Sequence, residues 1–176
     1  MKDPIRLLAL ALVLASPSPL SAQAHAHDHA SPYAGFTDRE IKALSADEVA
    51  GLLNGEGLGM ALPAELNRYP GPRHVLDLAA MLGLSADQES RIQAIFSDMQ
   101  TDAQAMGRTV LELERDLDRS FADHTITEAR MEELLEAIAL ARAKLRAAHL
   151  RAHLRVLPVL TETQREHYER ARGYTK

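Results

Sequence analysis

Between Ile92 and Leu117 the apolar residues Ile92, Phe96, Met99, Ala103, Met106, Val110, Leu113 and Leu117 follow one another at alternating steps of four and three. A strand sends alternate residues to opposite faces, whereas a helix lines all eight up as one stripe, so this spacing demands a long helix. Such a stripe has to be covered, and the cover comes next in the chain. After the turn "FADHTIT", a run from Glu128 to about Leu157 carries Met131, Leu134, Leu135, Ile138, Ala141, Leu145, Ala148 and Ala152 at helical spacing. Two long helices joined by a few residues fold back on each other. The expected fold is therefore all-α: a long antiparallel helical hairpin over 85–157, with short helices before it and a short one over 161–173.

Helix starts are legible as capping boxes, in which Ser or Thr is followed three residues later by Glu or Gln and the two side chains satisfy free backbone N–H groups. Thr37 with Glu40, Ser45 with Glu48, Ser85 with Gln88, Thr125 with Glu128, and Thr161 with Gln164 fit the pattern. In "NGEGLGMALPAELNRYPGPRH" the glycines and prolines forbid a long helix. Residues 37–82 are accordingly read as short helices and turns, with Pro72 in the first turn of a helix, where its missing N–H costs nothing. Pro158 ends the second long helix.

The N-terminus has the layout of a secretory signal over 1–24: Lys2 and Arg6, an apolar run from Leu7 to Ala15, then Ala22-Gln23-Ala24 as a cleavage site. The run is too short to cross a bilayer, which takes roughly 20 residues. Cleavage there would leave a His-rich N-terminus over 25–36 and one helical domain over 37–176, exported to the periplasm without a transmembrane segment. Loss of Lys2, Arg6 and Asp3 takes the formal net charge from -5 to -6. That balance excludes a nucleic-acid binder, whose phosphate contacts need a basic surface. The chain has no cysteine, which removes disulfides and thiol chemistry.

"LSADQ" at Leu84 opens the first long helix and "LTETQ" at Leu160 opens the last. This pair of L-[ST]-x-x-Q elements, on an exported, cysteine-free helical chain, resembles the Spy/CpxP group of periplasmic stress proteins and its heavy-metal sensor and zinc-resistance relatives. The likeness covers about residues 74–174, and 33–79 look like the front part of members described as heavy-metal sensors or refolding chaperones. The resemblance implies a bent helical hairpin, dimerisation through the long helices and no catalytic activity. One branch implies a surface that holds unfolded clients without ATP; the other implies histidines and carboxylates that bind divalent ions. The Gly/Pro-rich region departs from both.

Five of the eight histidines fall into two sets. His25, His27 and His29 would follow a free amine, and an amine with a histidine in third position offers Cu(II) or Ni(II) a square-planar nitrogen set. The bland alternative is a polar tail. In "AHLRAHLRVL", His149 and His153 project one turn apart from one helix face, the spacing by which a helix gives two ligands to zinc, nickel, cobalt or copper. His149 is placed at the edge of the seam, facing Glu89, Asp98 or the N-terminal region, and His167 on the last helix could fold back to join them. Against this stands a pair of surface histidines favoured by the helix dipole. His74 reads as packing or capping and His124 as exposed in the turn. Met99, Met106 and Met131 read as core rather than as soft ligands, and "GEGLG" as a turn rather than a phosphate loop, since no strand precedes it.

Arg142, Lys144, Arg146, Arg151 and Arg155 form a basic stretch able to meet an acidic partner. Glu112, Glu114, Asp116 and Asp118 crowd the end of the first long helix, where the dipole does not favour acids. No nucleophile motif is present, and no organic cofactor is expected. The leading expectation is a non-enzymatic periplasmic protein of the metal-sensor or metal-resistance type, holding copper, nickel, zinc or cobalt. The alternative is an ATP-independent chaperone or envelope-stress adaptor. Expected partners are a second copy, unfolded periplasmic proteins or a membrane-bound signalling protein.

Overall fold

The computed structural model describes residues 31–174, and among them every regular element is a helix. A 3₁₀ turn at Ala34–Phe36 is followed by α1 (Ala46–Asn54), then the short α2 (Leu62–Glu65), α3 (Pro72–Asp77) and α4 (Ala79–Leu82). Two long helices come next, α5 (Ala86–Ala122) and α6 (Glu128–Val156), and a 3₁₀ turn at Leu157–Val159 leads into α7 (Glu162–Arg172). No described helix is long and apolar enough to cross a membrane. The proposed signal segment and its cleavage site lie outside the described residues, as do His25, His27 and His29.

Three of the five capping boxes form as expected. Ser45, Ser85 and Thr161 each accept a bond from the amide three residues on, and Glu48, Gln88 and Gln164 return to the cap amide. Thr37 starts no helix; residues 37–45 run through turns. Glu40, which would have closed that box, is drawn instead to Arg115 of α5 at 2.7 Å. Thr125 is also displaced, because its amide and that of Ile126 are taken by the Ser120 carbonyl at the end of α5. The cap moves to Thr127, whose hydroxyl accepts from the Arg130 amide at 3.2 Å.

The buried face of α5 is wider than the heptad stripe. Ile92, Ala103 and Val110 are buried, but Phe96, Met99, Met106, Leu113 and Leu117 are only half-buried, while Ile95, Gly107 and Leu111 join the core. The reason is that α5 packs against α1 and α3 as well as α6, so a stripe suited to one neighbour does not describe it. Gly107 is the closest of these approaches: a methyl group there would sit 2.1 Å from the Leu52 carbonyl oxygen of α1. On α6 the expected residues are buried apart from Leu135 and Met131, and His149, His153 and Val156 are buried with them.

Two apolar clusters lie along the long helices. One gathers Ile92 and Ile95 with Ala152, Val156, Leu160 and Tyr168; the other gathers Ala103, Val110 and Leu111 with Leu145, Ile41 and Leu52. At the first cluster the two L-[ST]-x-x-Q elements meet. Each glutamine donates its Nε2 to the other's Oε1, at 2.9 and 3.1 Å. Each Oε1 also accepts from its own cap amide, Ser85 at 3.0 Å and Thr161 at 2.9 Å. Gln88 donates further to the Val159 carbonyl at 2.8 Å. Two capping boxes thus become one clasp between the starts of α5 and α7.

The acids at the end of α5 are mostly committed within the chain. Asp118 pairs with Lys42 at 3.1 Å, buried Glu114 with Arg142 at 2.8 Å, and Asp116 with Arg119 at 3.0 Å. The dipole does not place these acids, but cationic partners do, Lys42 and Arg142 on other segments and Arg119 one turn along α5.

Candidate functional site

Between the two apolar clusters, α6 turns His149 and His153 inward. Both follow the buried stripe of Leu145, Ala148 and Ala152, which is why residues so polar are only 3% and 7% exposed. Their surroundings come from the Gly/Pro-rich segment. His149 presents Nδ1 toward Gly57, where even a methyl would stand at 4.0 Å, and His153 lies so close to Gly71 that a methyl there would be 2.9 Å from its Cε1. Gly71, which lies in this helix-breaking stretch, lets backbone approach the His153 ring.

The two imidazoles differ in how they are satisfied. His153 holds the Tyr69 carbonyl through Nδ1 at 2.7 Å. A carbonyl only accepts, so Nδ1 carries a proton. The Nε2 of His149 is buried with no hydrogen-bond partner. Burial, and secondarily the neighbouring His153, hold the His149 pKa below the ordinary histidine value, so the ring is kept neutral and able to accept or to ligate.

Both rings line a pocket of about 430 Å³ whose walls also include Glu65, Met99, Gln100 and Tyr174. Glu65, at the end of α2, is 7% exposed, and it is the hub of this region. Its Oε2 accepts from the Gly71 amide at 3.2 Å and lies 3.7 Å from His153 Nδ1. Its Oε1 accepts from the Tyr168 hydroxyl and from the Tyr174 hydroxyl at 3.0 Å, with Arg172 Nε at 3.4 Å. Burial and the bond to Glu65 push the Tyr168 pKa up. Beside this hub Arg68 pairs with buried Glu169 of α7 at 2.5 Å. The carboxylate therefore ties the C-terminal end of the chain to the loop before α3.

Of the histidines expected to join the pair, His167 does not; it is exposed on α7. His74, half-buried on α3, does line the pocket, with its pKa lowered by burial and then by Arg172. His124 is exposed in the turn, as expected, at a positive φ of 54°. His149 faces the N-terminal region, while Asp98 is engaged by Arg155 at 2.9 Å. In the basic stretch Arg142 and Arg155 are used in pairs between the long helices, whereas Lys144, Arg146 and Arg151 are exposed. Gly55 and Gly59 of "GEGLG" are at positive φ, 69° and 77°, and the segment forms one wall of the pocket.

A divalent transition ion fits this chemistry in part. The i,i+4 imidazoles are the ligand type and spacing a helix offers, and the Nε2 of His149 is buried without a partner. Among the described residues, however, no three His, Cys, Asp or Glu side chains already stand together as a finished cage. Residue patterns pointed to the two histidines but not to Glu65, Tyr168, Arg172 or Tyr174. A glutamate between prolines carries no periodicity, and only the tertiary fold brings it under α7. No family model, curated protein or solved structure matches this chain.

Proposed function

We propose that this chain is a non-enzymatic periplasmic protein that binds a divalent transition metal, in the manner of the heavy-metal sensor and resistance proteins its sequence resembles. The observation that carries the reading is the buried pair His149 and His153, one ring with an orphaned Nε2 and the other with its tautomer set by Tyr69. Copper, nickel, zinc and cobalt all accept imidazole nitrogen. The N-terminal His25, His27 and His29 would be a second, independent point of capture.

Calorimetric titration of the mature protein with Cu(II), Ni(II) and Zn(II) tests the reading. Stoichiometric binding that survives alanine at His25, His27 and His29 but is lost on His149→Ala with His153→Ala is the expected result. Binding no tighter than that of a surface histidine would end it.

Within this reading α5 and α6 form an antiparallel hairpin, supported by the order of their ion pairs: Glu114 meets Arg142, and the earlier Asp98 meets the later Arg155. Dimerisation through the long helices is supported by Leu140 and Leu154, exposed and two heptads apart on the outer side of α6. Leu140→Glu with Leu154→Glu is expected to give a monomer by sedimentation.

A chaperone or adaptor role is the second reading, favoured by a different observation. Leu58, Leu62 and Leu66 are exposed together around α2, and Lys144, Arg146 and Arg151 supply uncommitted positive charge on α6. It predicts suppression of client aggregation in the absence of metal, unchanged by loss of both histidines.

A further inference from the structure

His149 is buried in the pocket wall with its hydrogen-bonding capacity unspent. Its Nε2 has no partner, and among the described residues no group bonds its Nδ1 either. Nδ1 stands across from Gly57, which has no side chain to occupy the space between them. Both residues line the cavity of about 430 Å³, a volume toward the lower end of the roughly 300–1,000 Å³ of small-molecule sites.

The walls select the class of occupant. Exposed Leu58 and Leu62 and half-buried Phe96 and Met99 give the cavity apolar surface, and Phe96 and Met99 favour a ring, through stacking and sulfur contacts. The charges on the wall are already matched, Arg172 standing 3.4 Å from Glu65 and Arg73 3.2 Å from Asp77. An anion would meet the carboxylates of Glu56 and Glu65 there, and a cation would meet the two guanidiniums, so the occupant is uncharged. Burial also keeps His149 neutral, its pKa below the ordinary value, so the ring offers one N–H and one lone pair. A hydroxyl both donates and accepts, and therefore satisfies Nδ1 in either tautomer.

We infer that this cavity binds an uncharged aromatic alcohol, its ring against Leu58, Leu62, Phe96 and Met99 and its hydroxyl on His149 Nδ1. The site goes beyond the metal reading and does not depend on it, since no ion takes part. 2-Naphthol is the probe, because a chain without tryptophan lets it be excited outside tyrosine absorption. The full mature chain is titrated in EDTA, with 2-methylnaphthalene and 2-naphthoate as competitors. Expected are one naphthol per chain, 2-methylnaphthalene about two- to tenfold weaker, the factor of one hydrogen bond, and naphthoate weaker still. Equal or tighter binding of either competitor, or an emission change that never saturates, overturns the inference.

Two variants fix where the ligand lies. Gly57→Leu fills the space across from Nδ1 at a residue whose φ is not positive, so the new side chain is unstrained; it should weaken naphthol at least tenfold. His149→Leu removes the hydroxyl's partner and should bring naphthol and methylnaphthalene to equal affinity. Naphthol binding untouched by Gly57→Leu, or a preference for the hydroxyl that outlives His149→Leu, overturns the assignment. Because EDTA is present throughout, failure here leaves the metal titration above to stand or fall by itself.

Discussion

The glutamine clasp, between α5 and α7, and the histidine pocket, between α6 and a wall of α5 about three turns further on, treat polar groups in opposite ways. At the clasp, Gln88 and Gln164 exchange two hydrogen bonds and cap two helices with the same atoms. At the pocket, His149 is buried as deeply as an aliphatic residue with one nitrogen left alone. Satisfied polar networks fix a fold, and unsatisfied ones cost stability unless something else is meant to complete them. The difference sets a clasp whose amides are paired against a pocket in which one buried nitrogen is not.

The largest effect is expected where the clasp is broken. Gln164→Glu turns a buried double donor into an acceptor facing the Gln88 oxygen and the Gly83 carbonyl, and should cost about 2–4 kcal/mol. Urea unfolding measures it, and wild-type stability in this variant would show that the clasp holds nothing. His153→Leu comes next, at about 1–3 kcal/mol by the same method, because the Tyr69 carbonyl loses its donor.

His149→Leu should behave in the contrary sense. It removes a nitrogen that has no partner, so stability should stay level or rise by up to about 1 kcal/mol while zinc uptake falls. A loss as large as that of His153→Leu would mean the two rings are equally structural and would erase the contrast.

The smallest effect is one of pH. The His149 pKa is lower in the folded chain than its unfolded value near 6.5, so the unfolded chain binds the extra proton. Stability from this group is complete above that value and declines as pH falls below it. The metal-free protein should therefore lose more melting temperature between pH 7.5 and 5.5 than His149→Leu does; equal losses would remove His149 as the cause.

Local chemistry made the helices readable. Ser85 and Thr161 announce their helices because a capping box is complete within four residues, and the α5 stripe is legible because each residue faces the same neighbour one turn later. What was not legible depended on remote partners. Glu40 pairs with Arg115, 75 residues away, where no helix begins at Thr37, and Thr125 loses its role to the way α5 ends. The pocket follows the same division. The spacing of His149 and His153 lies within one helix turn, but Glu65 meets Tyr168 and Tyr174 across more than 100 residues.

Gly107 bears on how this sequence can vary over time. With the Leu52 carbonyl standing where its side chain would begin, position 107 admits none of the nineteen alternatives unless α1 lifts away. Arg108, next along on the exposed side, is under no such constraint. Among diverging copies of this chain, a change at position 107 should then appear only together with the loss or rebuilding of α1, while Arg108 drifts.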